Sequence, residues 1–212
     1  DKVGAAEWYA RVSKASPEFA RSRLQAGQTL WSSYLAAVQQ AAENATTEPA
    51  AAGATTLSPA QLKKRAQQYL TSGVEAGAGN AALRKNVIVA KLTLAQLHLG
   101  EDRFEETVAT LTAGESSVTS AVGEGSEDRP AVGVRSVEFA KIAYTTLIRA
   151  HLGTNQLEAA RAAMATLQGI AGTEDSAALA KLHLDLSAEM TASYKELAAT
   201  GQEDIELLTT IA

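Results

Sequence analysis

The 212-residue chain contains no cysteine. That excludes disulfides, thiolate nucleophiles and cysteine-ligated zinc, although it assigns the protein to no compartment. Prolines are few: only Pro17, Pro49, Pro59 and Pro130 interrupt the chain, so long helices are permitted. Aromatic residues make up 5% of it, against 46% for hydrophobic residues of all kinds. The core must therefore be built from Ala, Leu and Val, small side chains suited to closely packed helices. No run approaches the roughly 18 uninterrupted apolar residues of a membrane-spanning helix, so no membrane insertion is expected. Basic charge is also scarce. The net charge is −5 and no cationic cluster exceeds Lys63-Lys64-Arg65, which argues against a sequence-independent grip on nucleic acid. Catalytic signatures are missing too. There is no G-x-S-x-G elbow and no Ser-x-x-Lys in a strand-to-helix setting, and Gly77-Ala78-Gly79 lacks the third glycine and the strand of a phosphate loop.

What the chain does have is apolar residues at helical spacing, which predicts an all-α fold of about nine helices. Ala5, Trp8, Tyr9 and Val12 line one stripe of a first helix over 3–14. Ser16-Pro17-Glu18 combines a cap, a proline suited to the first helical position and an acid in the first turn, and so starts a helix over 17–43. Residues 44–57 lose nearly all bulky apolar side chains and read as a loop, ended by a second start signal at Ser58-Pro59. The helix that follows, 59–76, closes at Gly77-Ala78-Gly79-Asn80. Further helices are expected over 81–99, from 103, near 134–152 and 156–169, over 175–199 and over 203–211, with a Gly-, Ser- and acid-rich loop at 113–133.

One pattern comes round again. His98-Leu99-Gly100 returns 53 residues later as His151-Leu152-Gly153, and the same shift pairs Leu94 with Leu147, Phe104 with Leu157 and Glu105 with Glu158. Each block reads as helix, tight turn, helix. Such a hairpin cannot bury its apolar face without a neighbour, so repetition predicts stacking. The residues that fill these blocks are Tyr144-x2-Leu147-Ile148-x2-His151 with Ala160-x3-Met164, and Lys91-x2-Leu94-Ala95-x2-His98 with Thr107-x3-Leu111. Ala5-x3-Tyr9, Pro17 and Arg23-x2-Ala26-Gly27-x2-Leu30 fit the same register near the start. The set resembles the tetratricopeptide repeat, with its W-x2-L-G-x2-Y and A-x3-F helices. The resemblance implies a single domain over 1–212, an α-solenoid of stacked antiparallel hairpins. Its repeats would be lengthened from about 34 residues by the excursions at 44–57 and 113–133. In this register 3–14 is a second helix without its first, and 203–212 begins another, so the chain reads as a slice of a longer array.

Metal binding would require several ligands converging on one ion, and His98, His151 and His183 lack such partners at helical spacing apart from Asp102 near His98, which is not enough for a site. The first two fall where the repeat family packs a tyrosine, and a structural role is expected. The carboxylates occur in runs, several at helix starts where they complement the macrodipole. No catalytic residue, cofactor or metal site is assigned, and the chain reads as non-enzymatic. The family resemblance implies instead that the first helix of each pair lines a groove that holds a protein or peptide. Carried over, that places Thr93 and Gln96 on one helix and Thr145, Thr146 and Arg149 on the next. Arg149 is the principal residue, because a guanidinium holds a carboxylate with two parallel hydrogen bonds. The expected function is a scaffold for protein or peptide binding within a larger protein. Two alternative readings are a recruiting or regulatory region of an enzyme or secretion machine, and a helical binder of a small molecule or lipid in a closed cavity lined by Leu, Val and aromatic side chains.

Overall fold

The computed structural model describes residues 2–44, 57–122 and 136–171, together with Leu184, 186–189, Thr191, Ala192 and Lys195. Among the described residues every regular element is helical and there is no strand. The elements are α1 (Lys2–Ala10), α2 (Phe19–Asn44), α3 (Pro59–Gly77), a 3-10 turn (Ala81–Leu83) leading into α4 (Arg84–Leu99), α5 (Phe104–Thr112), α6 (Val118–Val122), α7 (Ser136–Gly153) and α8 (Leu157–Ala171). The described residues between 184 and 195 are helical as well. His183, most of the expected helix over 175–199, the helix over 203–211 and the loop at Gly123–Pro130 lie outside the described residues. The chain divides into two compact units, one of residues 1–97 with 113–118 and the other of 98–112 with 119–212.

In the first unit α3 starts where its sequence signal said it would. The Ser58 hydroxyl accepts from the Gln61 amide at 3.3 Å, the Gln61 side chain accepts from the Ser58 amide at 2.9 Å, and Pro59 occupies the first helical position. Two amide donors that the helix itself cannot pair are thus satisfied reciprocally. Ser58→Ala is expected to lower stability by about 1 kcal/mol, read as a shift in the urea midpoint. Beyond this cap α3 buries Leu62, Ala66, Leu70, Gly73 and Gly77, a stripe with steps of three and four residues.

That stripe packs on α2 at very short range. A Cβ at Gly27 would stand 2.5 Å from Leu70 Cγ and 2.9 Å from the Leu70 amide nitrogen; one at Gly73 would stand 2.9 Å from the Leu24 amide nitrogen. The two backbones nearly touch, and only glycine permits that crossing. On either side lie two apolar clusters. One gathers Leu24, Leu70, Leu83, Val87, Leu94 and Leu97, the other Ala6, Ala26, Leu30, Leu62 and Ala66, and Trp31 packs against both. From α4, the Lys91 ammonium donates to the Ala113 carbonyl at 2.7 Å and Arg84 to the Glu115 carbonyl at 3.3 Å, tying 113–115 to that helix.

Three local expectations are corrected here. The stripe Ala5, Trp8, Tyr9, Val12 does not face the core. α1 ends at Ala10 and docks through Ala6 and Val3, leaving Trp8 74% exposed. Docking through alanine lets α1 lie close to α2, whereas an indole between the helices would hold them apart. α2 begins at Phe19, two residues later than expected; the Ser16 hydroxyl accepts from the Glu18 amide at 3.2 Å, and Pro17 stays in the turn before the helix. Part of the loop expected over 113–133 forms α6.

The second unit contains the repeated turn, and its geometry is the same both times. Asp102 and Asn155, 53 residues apart, are the two non-glycine residues with positive φ among those described, at 56° and 58°. At the first turn the Arg103 amide donates to the His98 carbonyl at 3.0 Å and the Asp102 amide to Leu99 at 3.1 Å. At the second the Gln156 amide donates to His151 at 2.8 Å and the Asn155 amide to Leu152 at 3.0 Å. These pairs are the six-to-one and five-to-two bonds of a Schellman motif, which satisfies the last carbonyls of a helix and reverses the chain. Asp and Asn tolerate the left-handed conformation better than other side chains do. After the second turn α8 folds back on α7, burying Leu157, Ala160, Met164, Leu167 and Ile170, while α7 buries Ala143, Tyr144, Leu147 and Ile148. α5 packs on α7 with the Phe104 ring laid over Gly153, where a Cβ would fall 2.5 Å from the ring.

Candidate functional site

The 53-residue register sorts the five residues expected to face a partner. Thr93 and Thr146 are register-mates and both are buried, at 7% and 4% exposure. Their hydroxyls donate to the carbonyls one turn back on their own helices, Thr93 to Val89 at 3.2 Å and Thr146 to Ile142 at 2.7 Å. They point inward and offer nothing to a partner. Gln96 and Arg149 are also register-mates; Gln96 is half-buried and Arg149 exposed, and Thr145 is half-buried. The outward polar position of each hairpin's first helix is therefore Gln96 on α4 and Arg149 on α7. Thr145, Thr146 and Arg149 share α7 in the second unit, while Thr93 and Gln96 belong to the first.

Arg149 makes the bidentate contact its chemistry suggests, with a carboxylate of its own chain. Its Nε donates to Glu189 Oε2 at 3.2 Å and its Nη2 to Oε1 at 2.9 Å, with both side chains close to half exposed. Such a solvated pair contributes only about 0–1 kcal/mol. A carboxylate arriving from elsewhere can compete for the guanidinium at little cost.

The two described histidines each contact a polar side chain beyond the turn they precede. His151 is buried, with Nδ1 2.9 Å from Gln156 Oε1, and His98 Nδ1 lies 3.4 Å from the Thr110 hydroxyl. Burial, with Arg103 adding repulsion, holds His98 below the usual imidazole range against the opposing pull of Glu106 and Glu101. In the unfolded chain this imidazole protonates near pH 6.5. The unfolded state thus takes up its proton first on acidification. The stability associated with His98 is complete above about pH 6.5 and is lost as pH falls from there through the lower folded value. Comparing urea midpoints at pH 7.5 and 5.5, His98→Gln is expected to show a smaller acid loss than the parent chain. An equal loss in both would remove His98 as the cause.

Beside the first turn an open cleft of about 440 Å³ is lined by Asp102, Arg103, Phe104, Glu105, Glu106, Gly153 and Thr154. Arg103 pairs there with Glu106 and, at 3.5 Å, with Glu101, and its hydrogen bond lowers the Glu106 pKa. The lining is polar and charged, unlike the apolar enclosure a lipid requires. Sequence reading missed this cleft because it depends on Phe104 crossing to Gly153, a tertiary contact without a local signal. Among the described residues no three His, Asp or Glu side chains are grouped closely enough to hold a metal ion, and no helix is long and apolar enough to cross a membrane. In comparison with known proteins, the chain matches no family model, and no curated protein and no solved structure is significantly similar to it.

Proposed function

We propose that the chain is a non-enzymatic helical scaffold of tetratricopeptide-like design, an α-solenoid that binds a protein or peptide through the outward polar positions of its repeated hairpins. The observation that carries this reading is the turn built twice, 53 residues apart, with the same left-handed residue and the same hydrogen bonds. Around it the register repeats an inward threonine at 93 and 146 and an outward polar side chain at 96 and 149. Repeated hairpins of this kind are the units from which solenoids present polar positions to partners. Arg149 supplies the anchor: its guanidinium is already oriented for two parallel bonds to a carboxylate, so an acidic group of the partner would take the place of Glu189.

The test is affinity capture with the immobilised chain, repeated with Arg149→Ala and with Gln168→Ala, a change at an exposed position of α8. A partner held through the α7 face should be lost with the first variant and kept with the second. If both variants lose it, or neither does, the assignment of this face fails.

A further inference from the structure

Arg23 occupies an unusual setting in the first unit. Its guanidinium carbon lies 4.9 Å from the centre of the Phe19 ring, one turn back on α2, and 5.0 Å from the centre of the Tyr69 ring on α3. Two rings hold one cation. Its Nε is covered by protein and has no hydrogen-bond acceptor. Among the described residues no carboxylate pairs with Arg23, although the chain carries 24 acids to 19 lysines and arginines. The acids nearest in the pattern are taken: Glu18 pairs with Arg21 at 3.5 Å, and Glu7 with Arg65, one turn before Tyr69, at 3.2 Å. The covered Nε is out of a partner's reach, but Arg23 as a whole is only half-buried, so two aromatic faces fix the cation while part of it stays open to solvent.

We propose that Arg23, clamped between Phe19 and Tyr69, is a receptor for the carboxylate of a glutamate or aspartate side chain presented by a protein partner. One cation, with its neighbour Arg65 already paired, matches one negative charge rather than the nearly two of a phosphate. Phe19 is buried, and the half-buried Tyr69 ring adds apolar surface for the methylenes that carry a side-chain carboxylate. Because the rings have already ordered the guanidinium, binding forgoes most of the entropy cost of fixing an arginine. The assignment stands independently of Arg149 and of the scaffold reading.

The test is an NMR titration of the whole chain, following the Arg23 Nε–Hε resonance at constant ionic strength. The ligands are acetyl-glutamate amide, acetyl-glutamine amide and inorganic phosphate. Saturable binding of the glutamate compound in the millimolar range is expected, with no saturation by the other two. Tyr69→Leu should weaken binding roughly three- to tenfold through lost preorganisation, with the far-UV dichroism retained. Arg23→Gln should abolish it; should that variant not fold, the parent chain and Tyr69→Leu decide. Glutamine compound binding as well as the glutamate, or phosphate binding as tightly, overturns the proposal. So does a glutamate titration that never saturates.

Discussion

Gly73→Val is expected to destabilise the first unit by about 3 kcal/mol, seen as a lower urea midpoint followed by Trp31 fluorescence. Trp31 is the suitable reporter because it packs against both apolar clusters of that unit. The cost arises because the added Cβ would stand 2.9 Å from the amide nitrogen of Leu24, and backbone cannot rotate out of the way as a side-chain tip can. α2 and α3 must then separate, and the leucines on either side of the crossing lose contact along both helices. Gly27→Ala meets the reciprocal obstacle at the Leu70 backbone. Helix propensity alone favours that replacement by about 1 kcal/mol, so a net loss measures the crossing itself. Gly77→Ala provides the comparison: its Cβ would meet one methyl of Val87 at 3.0 Å and no backbone atom of another helix, so its cost should be well below that of Gly73→Val. Equal tolerance at Gly73 and Gly77 would mean that the helices do not approach as described.

The parts of the fold legible in the sequence are those fixed by a few consecutive residues. Ser58-Pro59 with Gln61 encodes a capping box in four positions, and the box forms. The hairpin turns were legible from the repeat at 98 and 151, although the residues that reverse the chain, Asp102 and Asn155, are related only by conformation. Faces were harder to read. Hydropathy favours burying Trp8, yet close approach of two helices favours Ala6, and in a nine-residue helix approach wins. Thr93 and Thr146 look like surface residues until their hydroxyls are seen to bond to their own helix, which satisfies a buried polar group at a small cost to the helix. Of the five candidate residues, Arg149 kept the chemistry expected of it, but its acceptor Glu189 lies 40 residues away and no spacing rule connects them. The pair Gly27 and Gly73 was hidden for the same reason. Gly27 fitted a repeat position, while Gly73 stood in no pattern until α3 was laid across α2.

The second large effect belongs to Gly153. Gly153→Ala should cost about 2–3 kcal/mol, because its Cβ would fall 2.5 Å from the Cγ and Cδ2 of Phe104 and drive the ring from its seat on α7. Here the obstacle is a side chain, so it can be removed. Phe104→Ala alone forfeits the packing of α5 on α7 and should also destabilise by about 2–3 kcal/mol. In the double variant the clash no longer exists, and the combined loss should fall short of the sum by about 1–2 kcal/mol. Guanidinium denaturation of the four chains, followed by far-UV dichroism, closes this cycle. Additivity within about 0.5 kcal/mol would show that the ring does not rest on Gly153. The cycle also separates the two copies of the turn. Gly100, 53 residues earlier, and Gly153 are both exposed, but at Gly153 the Phe104 ring fills the position a Cβ would take. The same local motif therefore ends two helices, and only at its second occurrence does the glycine also provide the surface on which another helix docks.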